Sequence, residues 1–120
     1  AGVVPPVMPR IEVNENCENV TDEYGNAKGG VRLPQIEAPV CSYINYSDAS
    51  MVPGGKNALF GHVEPFPKEK LEELYGSLKA YEEKVKALAE QTAKQGFLME
   101  ADIPACVQDA VNKASRYGLE

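Results

Sequence analysis

The sequence predicts an α+β fold: an irregular N-terminal half of extended segments and short strands, then a C-terminal helical hairpin within about three helices. Three observations predict it. Of the nine Pro and ten Gly, most fall in the first 67 residues, where they fix or loosen the backbone and interrupt any helical period. From Leu71 onward, Leu74, Leu78, Tyr81, Val85, Leu88 and Thr92 follow at alternating spacings of three and four, one face of a helix. The hydrophobic share of 43% is ordinary for a folded domain, but with no Trp and three Phe the core has few large anchors. A chain of 120 residues is the size of one small domain.

Three segments follow from this: a proline-rich extended lead over 1–21, a turn, short-strand and loop segment over 22–66, and a helical segment over 67–120. In the lead, Pro5, Pro6 and Pro9 hold their own φ and push the preceding residues away from helix. Ile11-Glu12-Val13 alternates as a short strand does and is ended by Asn14, Asn16 and Asn19. Asp22-Glu23-Tyr24-Gly25-Asn26 reads as a turn, because Gly and Asn accept positive φ. Gly29-Gly30 then opens Val31-Arg32-Leu33, and Ile36 to Val40 is expected to continue in extended form. Cys41 to Tyr46 alternates like a strand, and Ser47 to Asn57, with Pro53-Gly54-Gly55, reads as loop.

In the helical segment, Gly76-Ser77 interrupts the period and Ser77 is a good N-cap, so the expected helices are about 67–75 and 78–95. Gly96 supplies the left-handed cap of the second, with Phe97 and Leu98 folding back onto its last turn. A third helix starts between Glu100 and Ile103, with Pro104 in its first turn, and ends at Tyr117-Gly118. Its buried face is Ile103, Val107, Ala110, Val111 and Ala114, small enough for a neighbour to approach closely. The hairpin therefore spans 78–117. No sequence repeat is visible along the chain.

The net charge of −6 argues against a nucleic-acid partner, which needs a basic stripe. Lysines concentrate at 68–94 but alternate with Glu, a solvated face with i,i+4 pairs. No apolar run approaches the roughly 20 residues that cross a bilayer, so no membrane partner is expected. The opening AGVVPPVMPR has no basic n-region and its apolar stretch is broken by Pro, unlike a secretory signal. Cys17, Cys41 and Cys106 lack the close spacing of a zinc site, and neither metal nor cofactor is expected. The alternatives are three reduced thiols, at least one packed in a core, and a single disulfide in an oxidising compartment. Asn19-Val20-Thr21 and Asn45-Tyr46-Ser47 match the glycosylation sequon, a triplet common by chance.

No catalytic constellation is legible. A hydrolase nucleophile elbow, G-x-S-x-G, does not occur; Tyr75-Gly76-Ser77-Leu78 comes nearest, and there Ser77 suits a helix cap better than a nucleophile. His62, the single histidine, can be written as a base for Cys41 with Glu64 as its orienter, but the spacing gives that pairing no support. Adjacent carboxylates such as Glu72/Glu73 and Glu82/Glu83 point to different sides of a helix. Gly25-x-x-x-Gly29-Gly30 lacks the Gly-Lys-Ser/Thr ending of a phosphate cradle. Tyr24, Tyr43 and Tyr46 are candidates for lining a pocket, although tyrosine is also ordinary in strands. The catalytic, cofactor and metal sets are accordingly empty at this stage.

Read together, several stretches resemble a bacterial α/β-hydrolase-domain family of largely uncharacterised activity. They are Pro9-Arg10-Ile11, then Asp22 to Ala27 and Gly29 to Ile36, with Ala38-Pro39-Val40. Leu59-Phe60-Gly61, Pro65-Phe66-Pro67, Tyr75-Gly76-Ser77, Tyr81 and Gly96-Phe97-Leu98 continue the match in order over nearly the whole chain. The resemblance is to that family's C-terminal segment, and it implies that nucleophile, acid and histidine lie upstream of the PPxxPRI stretch. It carries no catalytic residue over and lowers the standing of His62. It implies a C-terminal, non-catalytic portion of an esterase-type protein, with an extended arm, a loop segment at the active-site entrance and a hairpin packed on the hydrolase body. Whether this chain is itself an enzyme is left open, and its expected partner is that body or another copy of itself. The alternative is a free-standing interaction module that uses the apolar face of helices 71–92. An appendage would leave apolar surface exposed around Val31, Ile36 and Val40, whereas a module would bury it.

Overall fold

The computed structural model describes residues 4, 7–44 and 61–120. The loop expected over 47–57, Tyr46 and the sequon at Asn45 lie outside the described residues. In chain order the elements are α1 (Pro34–Glu37), β1 (Cys41–Ile44), β2 (His62–Pro65), α2 (Lys68–Tyr75), α3 (Leu78–Lys94), a 3-10 turn (Glu100–Asp102) and α4 (Ile103–Arg116). This is the α+β arrangement expected, with a two-stranded antiparallel sheet among the described residues and the long helices in the C-terminal half.

The helical half forms as its apolar period dictates. Ser77 caps α3 by accepting from the Ala80 N–H at 3.2 Å, a contact worth about 1 kcal/mol. At the other end Gly96 takes φ 84°, the Phe97 N–H reaches the Thr92 carbonyl and the Gly96 N–H reaches that of Ala93. That double bond is the Schellman ending, and α4 repeats it with Gly118 at φ 103°, Leu119 to Ala114 and Gly118 to Ser115. Leu119 is thereby folded under its own helix and buried. The core lies between α3 and α4: Tyr81, Val85 and Ala89 against Val107, Ala110 and Ala114, closed by Leu71 and Phe66. Segment 38–41, which leads from α1 into β1, lies in this core. Its carbonyls are held by two phenols, Tyr81 to Ala38 at 3.1 Å and Tyr75 to Pro39 at 2.7 Å.

Three expectations need correction. Residues 36–40 are not uniformly extended, because Pro34 and its neighbours make the helical turn α1. Pro suits the first helical position, where its missing N–H has no partner to lose, so here it starts a helix instead of bounding a strand. The stretch 62–65, given no strand of its own, pairs with β1 in the register Cys41↔Pro65 to Ile44↔His62. Pro65 ends that strand, and a terminal position is where a strand tolerates proline.

The third correction concerns the lead, which is not simply extended: from Ile11 to Gly29, past the lead's expected end, the backbone pairing repeats every eight residues although the side chains do not. Around Glu12, Val20 and Lys28 three extended stretches close a triangle: the Glu12 N–H donates to Lys28, Lys28 to Val20 and Val20 to Glu12, at 2.8–2.9 Å. Val13↔Asn19, Thr21↔Ala27 and Ile11↔Gly29 are its bridges, so Ile11-Glu12-Val13 is extended but is one arm of this ring. Two of the corners are built alike. Asn14 Oδ1 accepts from the N–H groups of Asn16 and Glu18, and Asp22 Oδ1 accepts from those of Tyr24 and Asn26. Cys17 and Gly25, each three residues after its Asx, take positive φ of 61° and 78°.

Candidate functional site

A concavity lies where this ring meets the rest of the chain. It is a cleft of about 420 Å³. Ile11, Asn19 and Ala27, which are equivalent positions on the three arms, form one wall, and Ile36 from α1 with Tyr43 and Ile44 from β1 form the other. Arg32 borders it and also borders a second cleft of about 640 Å³, where Val7 and Pro9 run beside the last turns of α3.

Asn26 holds the two walls together. It is fully buried, and its amide donates to the Cys41 carbonyl at 3.2 Å while accepting from the Tyr43 N–H at 2.7 Å. The side chain thus pairs with β1 as the peptide group of a neighbouring strand would. Ser42 Oγ adds a hydrogen bond to the Tyr24 carbonyl.

Arg32 is engaged by two carboxylates and a carbonyl of its own chain. One terminal nitrogen lies 2.6 Å from Asp22 Oδ2 and 3.3 Å from the Ile36 carbonyl. Its Nε lies 3.0 Å from Glu37 Oε1, close enough for an ion pair although the N–H direction misses hydrogen-bond alignment. At Asp22 burial alone would raise the carboxyl pKa, but the Arg32 guanidinium and the N–H groups of Asn26 and Tyr24 outweigh it and hold the pKa below the usual carboxylate value.

The residues weighed for nucleophilic chemistry are not brought together. Cys41 is fully buried opposite Pro65, whereas His62 pairs with Ile44 at the other end of the hairpin. His62 Nε2 lies 3.0 Å from Glu64, and both side chains are about half or more exposed. Ser77 is occupied as the α3 cap. The thiols of Cys17, Cys41 and Cys106 are free, and burial raises the Cys106 pKa, the opposite of an activated nucleophile. Among the described residues no group of His, Cys, Asp and Glu is placed to hold a metal ion, and no helix is long and apolar enough to cross a membrane.

Of the three tyrosines considered as pocket residues, Tyr43 lines the cleft. Tyr24 instead packs on Phe66, with the Lys70 ammonium 3.9 Å from the Phe66 ring centre. The face of helices 71–92 is turned inward: Leu71, Tyr81, Val85 and Thr92 are all buried. Val40 is buried too, and Val31 and Ile36 are half-buried beside the cleft, so the exposed apolar surface expected there of an appendage is not found and the large exposed apolar residues lie elsewhere. They are chiefly on the lead, at Val7, Met8, Ile11 and Val13. Sequence reasoning missed Asn26 and Arg32 as organising residues. The recurrence of an Asx residue and a left-handed position every eight residues was the available signal.

The sequence matches a known family, described as alpha/beta hydrolase domain, over residues 1–108, and the chain belongs to that family. No curated protein matches it. No solved structure matches it either.

Proposed function

We propose that this member of the alpha/beta hydrolase domain family is a C-terminal, non-catalytic portion of an esterase-type protein that packs on the hydrolase body through its N-terminal lead. The observation that carries the reading is the exposure of apolar side chains on the lead: Val7 is 94% exposed, Met8 67% and Val13 58%. Single exposed apolar residues are ordinary, but several along one proline-stiffened arm form a surface suited to a partner. The chemistry points the same way. The sequence has no G-x-S-x-G, and its one histidine faces Glu64 away from the buried Cys41.

Two measurements on the 120-residue chain test it. Ester turnover, followed with 4-nitrophenyl butyrate, should equal the buffer rate and be the same for His62→Ala. The chain should also self-associate as concentration rises, and the combined change Val7→Asp, Met8→Asp and Val13→Asp should suppress this. Turnover that disappears in His62→Ala would overturn the proposal. So would a chain that stays monomeric and binds no apolar dye at any concentration.

A further inference from the structure

We propose that the cleft between the three-armed ring and β1 binds a neutral alkyl or aryl group of a small molecule. The inference is separate from docking on a hydrolase body, since it concerns a concavity formed within this chain. Its volume, about 420 Å³, falls within the range of small-molecule sites, roughly 300–1,000 Å³. The surrounding groups then narrow the class of ligand.

A peptide strand is disfavoured, because main-chain groups on both sides are already paired. The ring arms satisfy one another through the Glu12, Val20 and Lys28 bonds, and the Cys41 carbonyl and Tyr43 N–H are taken by the Asn26 amide. β-Augmentation needs free edge groups, and the groups named here are not free. An anion is disfavoured as well. The bordering cation, Arg32, is engaged by both Asp22 and Glu37, so two carboxylates outweigh one guanidinium in that cluster. A ligand carboxylate would have to displace a 2.6 Å ion pair. What the cleft does offer is apolar contact from Ile11, Ile36 and Ile44. Removing apolar ligand surface from water is then the driving force.

The chain provides its own probe. It has four isoleucines; Ile11, Ile36 and Ile44 line the cleft, and Ile103, at the start of α4, does not. With isoleucine δ1 methyls labelled for NMR, hexan-1-ol should shift the three cleft methyls along one saturable curve and leave Ile103 unmoved. Hexanoate should bind at least tenfold more weakly. Ala27→Leu, which fills the cleft from one ring arm, should weaken hexan-1-ol at least tenfold with the Ile103 signal still at its native position. Should Ala27→Leu fail to fold, Asn19→Leu on the equivalent arm makes the same test. The proposal is overturned if the cleft methyls do not respond, if Ile103 moves with them, or if hexanoate binds as well as the alcohol. Self-association of the lead is scored separately, so failure there leaves this result standing, and the reverse holds.

Discussion

Replacing Asn26 by alanine removes the clip that joins the ring to β1, and the cost can be worked from its two contacts. The Tyr43 N–H loses its acceptor at 2.7 Å and the Cys41 carbonyl loses its donor at 3.2 Å, beside a side chain that is fully buried. Each stranded group costs about 1–3 kcal/mol, so a total loss of about 3 kcal/mol is expected once partial access of water is allowed for. In a chain of this size that lowers the thermal midpoint by on the order of 10 °C. Urea unfolding followed by circular dichroism measures the loss, and amide exchange at Tyr43 shows whether it arises at the clip. Asn26→Asp makes the complementary test. The carboxylate still accepts from Tyr43 but faces the Cys41 carbonyl with no proton to give. Burial raises the pKa of such an acid, so its protonated form is favoured in the folded state and stability should fall as pH rises through the folded-state value. A loss below about 0.5 kcal/mol for Asn26→Ala, with Tyr43 exchange unchanged, would refute the reasoning, since the mean worth of even one hydrogen bond exceeds that.

Two further outcomes are expected. Gly29 and Gly76 have similar φ, 73° and 77°, but a methyl on Gly29 would stand 2.5 Å from the Arg10 carbonyl whereas one on Gly76 meets nothing within 4 Å. Gly76 sits in a γ-turn, at ψ −56° with the Ser77 N–H on the Tyr75 carbonyl, so Gly76→Ala should cost only backbone strain of about 1–3 kcal/mol, and Gly29→Ala distinctly more; equal losses in urea unfolding would contradict the ring geometry. Asp22→Asn should remove a charge-assisted bond worth about 1.5–3 kcal/mol at neutral pH. Because the Asp22 pKa is depressed on folding, its contribution is present above the ordinary value of 3.8 and lost as pH falls through the folded-state value. The wild-type and Asp22→Asn stability curves should converge on acidification, and curves that keep a constant separation down to pH of about 2 would exclude the pair as a stabilising contact.

The helical half was legible because its information is local. Spacings of three and four from Leu71 to Thr92, Ser77 at a cap and Gly96 and Gly118 past helix ends each act within a turn or two of where they stand. Ala89, buried between Val85 and Thr92, escaped notice because the spacing of three from Val85 was met by Leu88 beside it. The turn α1 was not legible: four residues contain barely one helical period, and Pro34 reads equally as the start of a helix or the boundary of a strand. The eight-residue ring was hidden for another reason. What repeats is backbone geometry with an Asx acceptor, while the side chains at equivalent places differ, as at Cys17 and Gly25. The cleft inherits this difficulty, since its walls come from residues 11 to 44 and are joined by Asn26, whose two β1 partners are 15 and 17 positions away.

The triangle of Glu12, Val20 and Lys28 has a consequence for motion. In a linear ladder the end rungs fray first and the centre last, giving a gradient of opening. Here every rung is also a neighbour of both others, with each N–H satisfied by the next stretch in a cycle. Fraying has nowhere to begin, so the three amides should surrender their protons to solvent at a common rate, set by a single rupture of the whole unit.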